Sequence, residues 1–284
     1  MMSRKPDSVW QEVSWQRPFE LEAVHDALTH LASTSPRGAV VWEIRSGRDG
    51  VRFLIGADKM YIKKVQSVFS AHGDVRFAGV PEGGRAEIVY ARQLRVSRPV
   101  LSLQTSTTLA TIRAGLAAMA NVPKAADAVI QIVLGPAYAP TPTPSKMQNP
   151  HASWLQVATG AAGAASADSL STIRDKSAQN RFGAIIRIGI SEGASNNYLH
   201  TILSAFRTLE TAGVRVSASS EKPEHINTAH VPWSFPLRLS IKELSGFLLL
   251  PVGESELPGI AGLNPKQLPA PQRENHHNDE YHFI

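Results

Sequence analysis

The stretch ADAVIQIVLG, residues 126–135, is the part of the sequence that most strongly indicates the fold. After Asp127 it is almost continuously apolar and rich in β-branched residues, which is typical of a strand buried on both faces. A second strand, GAIIRIGI, is predicted at residues 183–190. The chain is therefore expected to build a core around the central strands of a sheet.

Helices with one apolar face are predicted beside these strands. STTLATIRAGLAAMAN (106–121) and NNYLHTILSAFRTLETAG (196–213) both repeat apolar residues at helical spacing. With RPVLSLQ (98–104) and VRVSAS (214–219) as further strands, the order becomes βαβ–βαβ. This order predicts a ferredoxin-like unit, an antiparallel sheet with both helices on one face. A doubly wound sheet is the alternative, but it needs more parallel crossovers than this order provides.

The preceding residues repeat the strand and helix theme at similar length, which makes an ancestral duplication a hypothesis. We predict a first α/β unit in which SGRDG forms the turn of a hairpin. Its expected elements are a helix at 20–32, strands AVVWEIR (39–45) and VRFLIG (51–56), a helix within 58–73, and strands DVRFAGV (74–80) and AEIVYARQLRV (86–96).

The predicted fold class is therefore α+β, with two small α/β sandwich units and an extended tail. The units cover residues 1–96 and 97–250, and the proline-rich tail covers 251–284. Residues 136–181 contain five prolines and the small-residue run ATGAAGAASADS, so we expect a mobile, largely disordered insertion there. Ser240 begins an S-x-x-E capping box that predicts a helix just before the tail.

Composition excludes several classes of protein. The 284 residues include no cysteine, which excludes disulfides, thiolate nucleophiles and cysteine-based zinc or iron–sulfur sites. No apolar run approaches the roughly 20 residues that span a bilayer, and the first residues lack the apolar stretch of a signal peptide. We expect a cytoplasmic protein.

Positive charge is concentrated in one part of the chain. The net charge is +5, and residues 45–98 hold eleven Lys and Arg against five Asp and Glu. Such an excess is typical either of a surface that contacts DNA or acidic lipid, or of an ordinary solvated face. The candidate DNA-binding residues are Arg45, Arg48, Arg52, Lys63 and Lys64.

One short motif suggests an enzyme. GISEG, Gly189 to Gly193, fits the G-x-S-x-G pattern in which a strained turn exposes a nucleophilic serine, here Ser191. His225 and His230 follow it, but the next helix begins several residues too late and no HGGG-type oxyanion segment precedes it. A serine hydrolase therefore remains the alternative function, and an ordinary strand end is the competing interpretation.

No other motif predicts a cofactor. G-x-x-x-x-G-K-[ST] and G-x-G-x-x-G are both absent, so no phosphate-binding loop is expected. NHHNDEYH, residues 275–282, concentrates potential metal ligands, but a terminal segment without hydrophobic periodicity is better explained as a solvated tail. We predict no catalytic residue, no cofactor and no metal site.

Several stretches taken together resemble a known family. They are VVWEIRSGRDGVRFLIG, AVIQIVLGPAYAP, AIIRIGI with ILSAFRTLETAGVRV, and LSIKELSGFLLLPVGESELPGIAGLNPKQLPAP. In this order and spacing they resemble the region before the motor in actinobacterial type IV secretion and conjugative DNA-transfer ATPases of the coupling-protein-like group. The likeness covers most of residues 10–272 and is best over 236–272.

The resemblance implies a function without catalysis. In that family the EL…PVG…LPG…QLP segment leads to a strand and then to the phosphate-binding loop, and this sequence departs from the pattern after Gln272. We therefore expect an accessory or assembly region whose partners are an ATPase domain or other secretion and conjugation subunits, with DNA as a further partner. Self-association and a peripheral position at the inner face of the membrane are also compatible with it. An inactive remnant of the ATPase is a further alternative.

Overall fold

The computed structural model describes residues 8–16, 19–34, 38–48, 50–143, 147–253 and 256–260. Nine strands within these residues form one sheet, and every neighbouring pair is antiparallel. The strands are β1 (Ser8–Trp15), β2 (Val40–Gly47), β3 (Gly50–Asp58), β4 (Val75–Gly79), β5 (Tyr90–Val96), β6 (Ala128–Tyr138), β7 (Arg181–Ile190), β8 (Val216–Glu221) and β9 (Leu237–Ser240).

Helices lie between many of these strands, so the chain combines α-helices with an antiparallel sheet. The described residues form α1 (Leu21–Ser33), α2 (Lys59–Ala71), α3 (Thr108–Ala120), α4 (Trp154–Ala158), α5 (Ala167–Ser177), α6 (Asn197–Phe206), α7 (Pro223–Asn227) and α8 (Ile241–Leu248), with a 3₁₀ turn at Arg207–Leu209. None of these helices is both long and apolar enough to cross a bilayer.

The sheet joins both parts of the chain. Its strand order is β4-β1-β3-β2-β6-β7-β5-β8, and β9 pairs with the first residues of β7 while β5 pairs with the last. The elements β1-α1-β2-β3-α2-β4 recur in the same order as β5-α3-β6-β7-α6-β8. The first set has the strand order β4-β1-β3-β2. The second set has β8-β5-β7-β6, so corresponding strands occupy corresponding places. The two sets meet where β2 pairs with β6.

One predicted strand, RPVLSLQ at 98–104, is wrong, and β5 occupies that place in the order. Leu101 and Leu103 are buried as a strand pattern would require, but their backbone bonds to a turn and to side chains instead of to a neighbouring strand, and the Leu101 N–H donates to the Arg98 carbonyl at 3.0 Å. Lys176 Nζ donates to the Leu101 carbonyl at 3.1 Å, and the Leu103 N–H donates to Glu243 Oε1 at 2.8 Å. Alternating burial therefore does not require a sheet partner here.

Most of the core lies between one face of the sheet and helices α1, α2, α3, α6 and α8. Helix α8 contacts both α1 and α3, so it covers the place where the two sets of strands meet. The indole N–H of Trp42, on β2, donates to the carbonyl of Leu248 at the end of α8 at 3.1 Å. The predicted capping box is confirmed, with Ser240 and Glu243 each bonded to the other's backbone N–H.

The predicted insertion contains regular secondary structure. Within 139–143 and 147–180 it contains α4 and α5, and Ile173 of α5 is buried. Residues 147–165 form an arm closed at its base by backbone hydrogen bonds from Asn149 to Gly163 and from Ala165 to Met147. Glycines and small residues weaken isolated helices, but these backbone bonds hold the arm without a large core.

The first part of the predicted free tail also packs on the body. We call residues 249–253 and 256–260 the return segment, in which Leu250, Val252 and Leu257 are buried. The Gly253 N–H donates to the Phe19 carbonyl at 2.8 Å, and the Val51 N–H donates to the Gly259 carbonyl at 2.9 Å. The rest of the proline-rich tail, with the histidines of 275–282, lies outside the described residues.

Candidate functional site

A row of polar side chains crosses the middle of the sheet on the face opposite the five core helices. Strand pairing places its six members side by side, one from each of six neighbouring strands. In order along the row they are Glu12 on β1, Leu54 on β3, Glu43 on β2, Gln131 on β6, Arg187 on β7 and Gln93 on β5. Leu54 is the one apolar member of this row.

Glu43 is the centre of the row and is fully buried. Its Oε1 accepts hydrogen bonds from Arg85 Nη2 at 2.7 Å and from Gln131 Nε2 at 2.8 Å. Its Oε2 accepts from Arg45 Nε at 2.7 Å and from Arg85 Nε at 3.0 Å. Each carboxylate oxygen thus takes two donors, which uses about four lone-pair sites.

Two arginines keep this carboxylate charged. Burial acts to raise the pKa of Glu43, but the charges and hydrogen bonds of Arg45 and Arg85 outweigh burial and hold that pKa below its usual range. A carboxylate with all its acceptor sites occupied and a lowered pKa is a poor proton acceptor. Glu43 is therefore suited to structural pairing and not to general base catalysis.

A second chain of contacts leads from the same row to the surface. Arg187, 1% exposed, donates from Nη1 to Gln131 Oε1 at 2.8 Å and from Nε to Glu221 Oε2 at 3.3 Å. Glu221 Oε1 lies 2.8 Å from His225 Nδ1. The His225 ring stacks on the His230 ring, with 4.5 Å between the two ring centroids. Burial, reinforced by the charges of His225 and Arg187, lowers the pKa of His230.

These groups hold two covering segments onto the sheet. Arg45 donates to the carbonyl of Ala86, while Arg85 donates to those of Ile226 and Asn227. The Asn227 side chain in turn bonds both backbone groups of Ile88. We call Glu43, Arg45, Arg85, Gln131, Arg187 and Glu221 the charge cluster. Its contacts show that it ties residues 85–88 and 225–230 to the second face of the sheet.

The charge cluster carries an excess of one positive charge, from three arginines against two glutamates. Arg45 Nη2 is buried and has no hydrogen-bond partner among the described residues. The guanidinium of Arg85 also lies over the Trp10 ring, 3.8 Å from its centroid, which adds a cation–π contact.

An open groove lies apart from the charge cluster, where α6 meets β5 and β8. Its volume is about 230 Å³, with Leu199 and Leu203 below and Arg92, His200 and Arg207 among the residues that line it. Pockets for small molecules usually measure about 300–1,000 Å³ and enclose most of the ligand. This groove is smaller and open, so it does not indicate a substrate pocket.

The predicted DNA-binding residues do not share one surface. Arg45 is 2% exposed within the charge cluster, and half-buried Arg52 on the same face donates to the Gly84 carbonyl at 3.0 Å. Lys63 and Lys64 are exposed on α2, where Lys64 Nζ donates to the Thr34 carbonyl. Arg48 is exposed in the turn after β2. The exposed members available to a polyanion are thus Arg48, Lys63 and Lys64.

Ser191, the candidate nucleophile, bonds only to backbone groups in the hydrogen bonds that the described residues show. Its Oγ accepts from the Asp127 N–H at 2.8 Å and donates to the Glu192 carbonyl at 3.2 Å. His225 directs Nδ1 to Glu221 instead. These contacts fit the interpretation of Ser191 as an ordinary strand end.

Sequence reasoning missed the charge cluster, although its signal was present. VVWEIR, VIQIVL and IIRIGI each place a polar residue within an apolar strand: Glu43, Gln131 and Arg187. Buried polar groups almost always have partners, so three such residues in neighbouring strands indicate a shared network. Arg85 and Glu221 could not be found this way, because both come from exposed-looking polar segments.

Comparisons of the chain with protein-family models, with curated proteins and with solved structures found no match.

Proposed function

We propose that this chain is a non-catalytic assembly module of a type IV secretion or conjugative DNA-transfer machine, which holds a motor subunit at a fixed position. The proposal is supported by the family resemblance of the sequence, which is best over 236–272. It is also supported by the use of the charge cluster for internal contacts rather than for an open reactive site.

The observation that carries the proposal is the anchoring of the return segment. In the family that this chain resembles, the corresponding segment leads to the motor. Here it leaves α8 and runs to the strands of the first set, with its backbone bonded to Phe19 and Val51. A partner attached through a segment held in this way would keep a defined orientation, whereas a free proline-rich tether would leave it mobile.

A substitution at Gly259 should detach the end of the return segment from the body of the protein, because Gly259 is closely packed. Gly259 has φ +72°, and a β-carbon there would lie 2.7 Å from both the Ala120 β-carbon and a Val51 methyl group. A larger residue would therefore displace the end of the return segment while leaving the buried strands intact.

We further propose that the two repeated sets of elements are tandem ferredoxin-like units that arose by duplication. Their common element order and strand order support this. Helix α8 and the return segment then follow the second unit and reach back to the first.

The proposal requires that a phosphate-binding-loop ATPase is encoded beside this chain, and the test uses the two purified proteins. We expect the two proteins to form a complex measurable by calorimetry, and Gly259→Val to weaken it by about tenfold, equivalent to 1.4 kcal/mol. Gly79→Ala is the matched control, because a β-carbon at Gly79 meets nothing within 4 Å. Absence of a complex, or ATP turnover by this chain alone, would refute the proposal.

A further inference from the structure

The arm formed by residues 147–165 presents apolar side chains to solvent. On α4, Trp154 is 79% exposed, Leu155 56% and Val157 46%, and no residue of this helix is buried. Trp154 and Leu155 are therefore large apolar groups that the described residues leave uncovered, and they lie together on one short helix. Clustered exposure of this kind marks a site of interaction.

The arm is held in shape before any partner is present. Ser153 and Gln156 form a complete capping box at the start of α4. At its end, Gly160 takes φ +72° and its N–H donates to the Val157 carbonyl. The two backbone bonds at the base close the arm as described above. Binding through α4 would thus require little ordering of the backbone, which lowers the entropic cost of association.

Charge is distributed unevenly around the arm. From Met147 to Ala167 the sequence contains no Asp, Glu, Lys or Arg. The base, in contrast, lies beside cationic residues: the His151 ring packs on Gly213, and Arg98 Nη1 donates to the Gly213 carbonyl at 2.6 Å. Arg215, two residues further, is 83% exposed, and its Nη1 lies 4.0 Å from Glu210 Oε2, a separation that leaves much of the guanidinium open to solvent.

The distance between the apolar and cationic parts is short. Trp154 follows His151 by three positions, a length of chain that spans at most about 10 Å. An uncharged helix with exposed apolar side chains, close along the chain to a base that has exposed arginines beside it, matches a bilayer surface, where tryptophan occupies the interface and basic residues attract anionic headgroups. A protein groove would satisfy the apolar residues alone and would leave the cationic base unexplained.

We propose that the arm binds anionic phospholipid membranes peripherally, with Trp154, Leu155 and Val157 inserted into the interface and Arg98 and Arg215 on the headgroup phosphates. The apolar residues supply burial, and the arginines supply electrostatic attraction. Neither the apolar contribution nor the electrostatic contribution is large by itself, and stable peripheral binding generally needs two contributions of this kind. This inference does not depend on the proposed role in assembly.

The test is flotation of the full chain with two kinds of vesicle, one of phosphatidylcholine and one of equal parts phosphatidylcholine and phosphatidylglycerol. We expect binding to the mixed vesicles that salt weakens. Trp154→Ala with Leu155→Ala should reduce it about tenfold or more, and Arg98→Glu with Arg215→Glu should do the same. These residues are exposed, so the variants should keep the circular dichroism and melting temperature of the parent.

Trp233 provides the matched control. It is 88% exposed at a place outside the arm, so Trp233→Ala removes an equally exposed tryptophan and should leave flotation unchanged. The proposal is overturned if the parent protein fails to float with mixed vesicles. Equal flotation of the Trp154 and Leu155 variant also overturns it, and so does equal loss with Trp233→Ala. If α4 binds an apolar groove of another protein and the parent chain does not float with mixed vesicles, the proposal is likewise overturned.

Discussion

Gln131 Nε2 donates to Glu43 Oε1 at 2.8 Å directly across the pairing of β2 with β6. The neighbouring pair in the same register, Trp42 and Ile132, is buried in the large core under the helices. The junction of the two sets of strands is thus apolar on one face and charged on the other. This difference allows the two faces to be tested separately.

Replacing Glu43 should have a large effect on stability. Glu43→Gln removes the charge that compensates Arg45 and Arg85, and truncating one partner of a buried ion pair costs about 3–5 kcal/mol. We expect the free energy of unfolding, measured with urea, to fall by that amount.

Glu12→Gln is the control in the same row, because the Glu12 side chain is 35% exposed and its Oε2 lies 3.6 Å from Arg52 Nη1. Surface pairs contribute about 1 kcal/mol or less. Similar losses for both variants would contradict a special role for the charge cluster.

The sequence predicted most individual elements because their signals are local. The apolar strands of 126–135 and 183–190 and the capping box at Ser240 were all confirmed. The strand at 98–104 was wrong because Leu101 and Leu103 satisfy their burial through contacts with distant side chains. The single sheet could not be inferred either, since nothing local shows that β2 will pair with β6, more than 80 residues away.

Two capping boxes in the chain should contribute very differently to stability. Ser240→Ala removes the cap of α8, whose residues are mostly buried, and should cost about 1 kcal/mol of unfolding free energy. Ser153→Ala removes the corresponding cap of α4, which buries no residue, and should leave global unfolding unchanged. Urea denaturation of both variants measures the difference. An equal effect would show that the arm unfolds together with the core.

The candidate site was less accessible to prediction than the fold. Charge counting along the sequence grouped Arg45 with Lys63 and Lys64, but the alternation of strand β2 directs Arg45 into the charge cluster. A count of charges cannot separate paired from free cations. The expectation of a disordered insertion came from its composition. Composition does not reveal the capping box at Ser153 or the backbone hydrogen bonds that close the arm.

Weak, salt-sensitive DNA binding without base preference remains a prediction for the exposed cations. Arg48, Lys63 and Lys64 changed together to Glu should weaken gel shifts at low salt, because fewer phosphates are neutralised. Each lost phosphate contact should reduce the slope of log K against log salt by about 0.9. Arg45 is left unchanged, since its loss would disturb the buried charge cluster.

The control for this experiment has the same change in net charge at other exposed positions. Lys124, Arg174 and Lys222 are exposed and lie outside residues 45–98. If their replacement by Glu weakens DNA binding as much, the binding depends on total charge and not on a surface around α2. If the parent protein gives no shift at low salt, DNA is not a partner.

His230 should make stability depend on pH below neutrality. Burial lowers its pKa in the folded chain from an unfolded value near 6.5, so the unfolded chain binds more protons as the pH falls. The stability associated with neutral His230 is therefore present above about pH 6.5 and is lost as the pH falls through the folded pKa. Burial also lowers the pKa of His25, which adds to the same decline.

In His230→Gln the decline in unfolding free energy should be shallower than in the parent, while above about pH 7 the two curves should run parallel. Urea denaturation at a series of pH values measures both curves, and parallel curves over the whole range would exclude His230 as a contributor.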